Sequence, residues 1–167
     1  ANTVLYDNLT LKDVSGKLII KDQKVVLENI KTSIFNGNIG VNGFVSTKEK
    51  VPTFNMDLDM KAVDIAQTFT QLDMLKKIAP IAGIINGKIN TAIKVSGNLD
   101  AKEMTPNLNS ISGSLNNQFL STTISAANSD LLKKLGQNIN FIDVNKINLN
   151  DVKTSLTFEN GKVKLKP

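Results

Sequence analysis

The chain of 167 residues contains no cysteine and no histidine. The first absence removes disulfides, thiolate metal sites and thiol nucleophiles. The second removes the commonest metal ligand and the side chain whose unperturbed pKa lies nearest neutrality, so histidine-based triads and zinc hydrolysis have no means here. Arginine is missing too. All twenty basic residues are lysine, so the formal charge of +5 comes without the planar fork that clamps phosphate or reads guanine. The lysines are scattered, with only Lys76-Lys77 and Lys133-Lys134 adjacent. Tryptophan is absent, and one tyrosine and seven phenylalanines make no stacking platform for single strands. Nucleic-acid binding is therefore not expected. A weak attraction to anionic lipid head groups fits the charge, and so does a plain solvated surface. No run approaches the roughly 18 consecutive apolar residues that a membrane helix requires.

What is present is alternation. From Phe54 to Ala62 every even residue is apolar and every odd one polar or charged, the pattern of a half-buried antiparallel strand. The segment SIFNGNIGVNGFV repeats it on odd positions with Phe35, Gly37, Ile39 and Val41, and IINGKINTAIKV does so with Ile89, Ile93 and Val95. Further strands are expected at 9–21, 24–34, 111–116, 118–125, 146–159 and 162–166. Turn signals stand at Asp22-Gln23, Asn116-Asn117 and Asn160-Gly161, the last tolerating the positive φ of a type I′ turn. Two segments change period. In DIAQTFTQLDMLKKIAP, Asp64 is placed to cap with Gln67 three residues on, and Ile65, Phe69, Leu72, Leu75 and Ile78 recur every three or four residues before Pro80 and Gly83. A second helix is expected over 128–136, with Leu131, Leu132 and Leu135 on one side.

The chain also repeats itself. LTLKDVSGKLIIKDQKVVL, residues 9–27, aligns without a gap on INLNDVKTSLTFENGKVKL, residues 147–165. Leu11 meets Leu149, Asp13-Val14 meets Asp151-Val152, Leu18 meets Leu156, and Lys24-Val25 meets Lys162-Val163. A repeated hairpin is the mark of stacked or extended β architecture, in which each unit covers its neighbour's edge. The expectation is one β-rich domain over 1–167 within a longer array whose next unit restarts near residue 147.

Candidate chemistry is sparse. Asp57 and Asp59 share a strand face about 7 Å apart by strand rise. Paired carboxylates could hold a hard cation, but alternation with apolar residues and the nearby Lys61 points to an outer, solvated face. Asp13 and Asp151 are one repeat position, read as turn or edge chemistry. NGNIGVNG is interrupted by Ile39 and Val41 and reads as a twisted strand, not a phosphate loop. No catalytic constellation, metal set or cofactor motif emerges, so an enzyme is not expected. The apolar face remains: Phe35, Ile39, Val41, Phe54 and Met56, with Leu58, Met60, Ile89, Ile93 and Val95. Either the two helices bury it as a core, or part stays open as a groove for acyl chains, to which the adaptable Met56 and Met60 are suited.

The order of LTLKDVSGKLIIKDQKVVLENI, SIFNGNIGVNGFV, AVDIAQTFTQL, INGKINTAIKVSGNL and LNSISGSLNNQFLSTTIS, then the restart at INLNDVKTSLTFENGKVKL, resembles the C-terminal region of AsmA-like proteins over nearly the whole chain. One departure is Asn116-Asn117, where that region usually has a glycine. The resemblance implies a parent anchored in the inner membrane of a Gram-negative envelope, its bulk in the periplasm, with a role in outer-membrane biogenesis. It also implies kinship with bridge-like carriers whose curved sheets form a trough for phospholipid tails. The resulting expectation is an α+β fold, predominantly antiparallel β, with a long curved sheet or open groove and two short helices. Its partners would be phospholipid acyl chains and neighbouring repeats. A structural or adhesive β-rich module for a protein or glycan partner is the alternative.

Overall fold

Asp22 and Gln23 both adopt positive φ, 52° and 58°, the type I′ geometry whose twist matches that of the strands it joins. They link β2 (Leu9–Lys21) to β3 (Lys24–Ile34). Phe35-Asn36, with φ of 53° at each, turns β3 into β4 (Gly37–Ser46) in the same way, and β5 (Thr53–Asp64) comes next. The computed structural model describes residues 1–6, 9–71, 85–124 and 149–164. Within them β1 (Thr3–Tyr6), β6 (Ile85–Asn98), β7 (Ser112–Ile124), β8 (Lys153–Glu159) and β9 (Lys162–Lys164) complete one antiparallel sheet, whose nine strands lie side by side in chain order. Each strand pairs with the one before it, so the sheet is an uninterrupted meander.

Helix is scarce. α1 (Ile65–Gln71) starts where the Asp64 carboxylate accepts from the Gln67 N–H at 2.8 Å, the predicted cap. The remainder of that predicted helix and all of the one over 128–136 lie outside the described residues. An α+β description with two short helices therefore overstates the helical content: the fold is an open nine-stranded sheet with one short α-helix described. The predicted break at Asn116-Asn117 is absent as well. Both residues sit inside the single long strand β7, where Asn116 pairs with Ser155 and Asn117 with Thr154. Polar side chains that suggested a turn are instead satisfied across the ladder, Asn116 accepting from the Ser155 hydroxyl at 2.7 Å. β1 carried no sequence signal of its own, and β8 starts at Lys153, seven residues later than the pattern suggested.

The sheet is bent by irregularities in its ladders. Register shifts fall between Leu27 and Ile30, between Met60 and Val63, between Asn86 and Lys88, and twice between Lys12 and Lys17. Positive φ marks these places at Asp13, Gly16, Asn29, Ala62 and Gly87. A bulge adds a residue to one strand, increases the local twist and inverts the parity of the residues beyond it. Thus Met60 and Val63 point to the same face despite odd spacing, and so do Leu27 and Ile30. Local bonds hold the bulges: the Asn42 side chain accepts from the Asn29 N–H at 2.7 Å, and Asn90 accepts from the Ala62 N–H at 2.9 Å.

Gly43 shows how tightly the ladder is fitted. A Cβ there would stand 2.2 Å from the Asn55 carbonyl oxygen and 2.8 Å from the Met56 sulfur, with φ at 153°. Gly40, three residues earlier, has nothing nearer than 3.8 Å. Gly43→Ala is expected to destabilise the chain by about 2 kcal/mol. Gly40→Ala should be neutral or stabilising by up to about 1 kcal/mol, because it only reduces the freedom of the unfolded chain. Urea unfolding of the two variants beside the parent checks this.

Candidate functional site

Residues directly opposite one another in an antiparallel ladder share a face, so the registers sort the side chains into rows. One row runs through eight strands. Leu18 faces Leu27, Leu27 faces Gly43, Gly43 faces Met56 and Met56 faces Val95. Val95 then faces Gly113, Gly113 faces Phe158 and Phe158 faces Val163. A parallel row carries Ile30, Val41, Leu58, Ile93, Leu115 and Leu156, and a third carries Ile20, Val25, Val45, Phe54 and Gly97. No polar side chain interrupts these rows. At about 4.8 Å per strand spacing the row from Leu18 to Val163 spans roughly 34 Å, and Phe54 to Met60 covers roughly 20 Å along the strands.

The opposite face is polar. Its rows include Asn42, Asp57, Lys94, Ser114, Thr157 and Lys164, and next to them Lys31, Gly40, Asp59, Ala92, Asn116 and Ser155. Asp57 meets the Lys94 ammonium at 3.2 Å, Asp59 meets Lys61 at 3.3 Å and Lys17 meets Glu28 at 3.5 Å. These are exposed pairs, worth about 0–1 kcal/mol each, so they mark the wet face more than they stabilise it. The two aspartates are thereby placed as cross-strand and same-strand partners of lysine. One apolar island interrupts this face, where Ile19, Val26 and Phe44 stand in a row and the Lys24 ammonium lies 3.7 Å from the Phe44 ring centre. A cavity of about 610 Å³ opens where the β3–β4 turn meets α1. Thr10, Ser33, Asn36, Asn38 and Gln67 line it with a single charged residue, Lys12, so nothing in it concentrates charge.

The apolar trough is closed at both ends of its strands. At one end Ile34, Phe35 and Val63 are buried together, with Leu9, Leu11, Ile39, Met60 and Ile89 packed against them and Ile65 of α1 also buried. At the other, Pro52, Phe54 and Leu99 are buried, the Leu99 N–H donating to the Pro52 carbonyl at 2.8 Å. Between them Val41, Met56, Leu58, Ile93 and Val95 are only half-buried, as are Leu115, Leu156 and Phe158. Towards β2 the face opens further, with Leu18 55% and Ile20 74% exposed. No second sheet lies over the middle among the described residues.

Nine of the ten residues expected on the apolar face take their places there: Ile39, Val41, Phe54, Met56, Leu58, Met60, Ile89, Ile93 and Val95. Phe35 does not lie on a strand. It occupies the turn and plugs one end, because Ile34 already closes the ladder against Gly37. The reading of the sequence missed the outer half of the trough, including Leu18, Leu27, Ile30, Leu115, Leu156 and Phe158. Alternation within 111–116 and 146–159 could have found the last three.

One polar line crosses the apolar face. Thr91 is 5% exposed, and its hydroxyl donates to the side-chain amide oxygen of Asn117 at 2.9 Å. The Asn117 amide in turn donates to the Thr154 hydroxyl at 3.3 Å. The rung lies beyond Leu58 and Ile93, in the row where Thr32, Ile39 and Met60 stand on the other strands. No family model matches the chain, and no curated protein or solved structure does so either.

Asn117→Ala should destabilise the chain by about 1–3 kcal/mol, since it strands a buried hydroxyl at Thr91. Adding Thr91→Val should recover much of that loss. Chemical denaturation of both variants distinguishes this network from simple loss of packing, in which the second change would add to the first.

Proposed function

We propose that the sheet is a non-enzymatic trough for the hydrocarbon tails of phospholipids. The observation that carries this reading is the row from Leu18 to Val163, apolar through eight strands and half-buried through its middle, on a sheet whose other face is polar. A sheet folded only for stability would drive such residues to full burial, since each gains about 1.5–3 kcal/mol on leaving water. Apolar surface that stays partly accessible over several hundred Å² marks an interaction site. The row from Leu18 to Val163 spans roughly 34 Å, about twice the roughly 15 Å depth of one bilayer leaflet's hydrocarbon, so a tail fits across the strands. Met56 and Met60 give the lining the adaptability that a disordered tail requires. The resemblance to AsmA-like proteins supports the same reading, with a periplasmic setting, a membrane-anchored parent and a role in outer-membrane biogenesis.

Titration of the purified chain into a fixed concentration of phosphatidylethanolamine carrying a fluorescent acyl chain tests the proposal. Saturable binding is expected, weakened at least about tenfold by Ile93→Asp, because a carboxylate in the trough would have to be desolvated by the tail. Asp57→Ala, on the polar face, should leave binding unchanged. Absence of saturable binding by the folded parent would overturn the reading, as would equal effects of the two variants when both stay folded by circular dichroism.

A further inference from the structure

The sequence repeat is also a repeat of structure. In the first hairpin Lys21 faces Lys24, Ile20 faces Val25 and Ile19 faces Val26. In the last, Glu159 faces Lys162, Phe158 faces Val163 and Thr157 faces Lys164. These are the aligned residues, pair for pair. The turns agree too, with positive φ at Asp22 and Gln23 and again at Asn160 and Gly161. Upstream, Asp13 and Asp151 both have positive φ, 53° and 60°, and each N–H donates to the preceding strand or segment, at Asn2 and Phe119 respectively. β8 and β9 therefore form a second unit of the β2–β3 hairpin, six strands further along the sheet.

In the first unit β3 is covered by β4, Val25 facing Val45 and Val26 facing Phe44, while the Gln23 carbonyl accepts from the Thr47 N–H at 2.8 Å. In the second unit the edge of β9 has no strand on it among the described residues, and Val163 is 59% exposed. A two-residue hairpin fixes which groups are free. Lys162 bonds back to Glu159, so the Val163 N–H and C=O point outward. Lys162 occupies the position of Lys24, whose ammonium sits over Phe44.

We infer that the β9 edge is a docking site for an antiparallel strand with the residue pattern of β4, Gly-Phe-Val-Ser in the order of Gly43 to Ser46. Main-chain bonds to Val163 hold it, its valine extends the apolar row beyond Val163, and its phenylalanine lies under the Lys162 ammonium. The polar-out, apolar-in alternation fixes its register, since a slip of one residue would put the phenylalanine into the trough. This inference does not depend on what fills the trough.

The test uses a fluorescent synthetic peptide of residues 37–50 and the intact chain, monitored by anisotropy and by hydrogen exchange with mass spectrometry. Saturable binding is expected, with new protection at 161–164. Val163→Pro removes one outward N–H and leaves the β8–β9 bonds intact, and should weaken binding at least about tenfold. Lys162→Ala in the chain and Phe44→Ala in the peptide should each cost about two- to fivefold, and together little more than either alone. The inference is overturned if the peptide does not bind. Protection at 24–26, meaning exchange with the resident β4, or at 15–21 on the open half of β2, would overturn it equally. Binding unaffected by Val163→Pro in a variant with unchanged thermal unfolding would do the same.

Discussion

Everything in this sheet depends on one constraint: a residue and its cross-strand partner point to the same side. Once β4 and β5 are paired in the register that sets Val41 against Leu58 and Gly43 against Met56, the sides of seven further strands are set by succession. A slip of one residue anywhere would send lysines and aspartates to the apolar side for every strand beyond it. The turns guard against that. Type I′ pairs at Asp22-Gln23, Phe35-Asn36 and Asn160-Gly161 leave no slack residue in their hairpins.

The bulges modify the constraint without breaking it. A strictly regular strand as long as β2 or β6 would be nearly straight, and a meander of such strands would be a twisted ribbon. Extra residues at Asp13, Asn29, Ala62 and Ser121, the second and last of them opposite Gly16 and Gly87, lengthen one strand of a pair relative to the other and curl the ladder. Asparagine and aspartate tolerate the required positive φ and glycine prefers it, while Ala62 is held there by its bond to Asn90. Met56, Leu58 and Ile93 are half-buried, with no second sheet above them among the described residues.

The same bulges decide how much could be read in advance. Phe54 to Met60 alternates without interruption, and the reading placed every one of those side chains correctly. In β2 the apolar positions are odd at Leu9 and Leu11 and even at Leu18 and Ile20, because one extra residue, at Asp13, intervenes in this strand. In β3 they are odd at Val25 and Leu27 and even from Ile30, and no simple period captures either strand. Asn116-Asn117 misled for a different reason. Asparagine is a turn former only when its side chain must satisfy local backbone, and here Ser155, Thr91 and Thr154 occupy both amides. The hairpin repeat was fully legible, because matching the chain against itself requires no assumption about period.

The rung from Thr91 through Asn117 to Thr154 gives the trough a grain. A flexible hydrocarbon lying across the strands can rest on the row from Leu18 to Val163 or on the row from Ile30 to Leu156 and touch no polar side chain. Laid along β6 or β7 it would have to cross a line of hydrogen-bonded groups. The smooth direction is thus the one in which strands are added, from β1 towards β9, and the rough direction is the strand axis. Lengthening such a sheet by further strands would lengthen the path of least resistance without widening it.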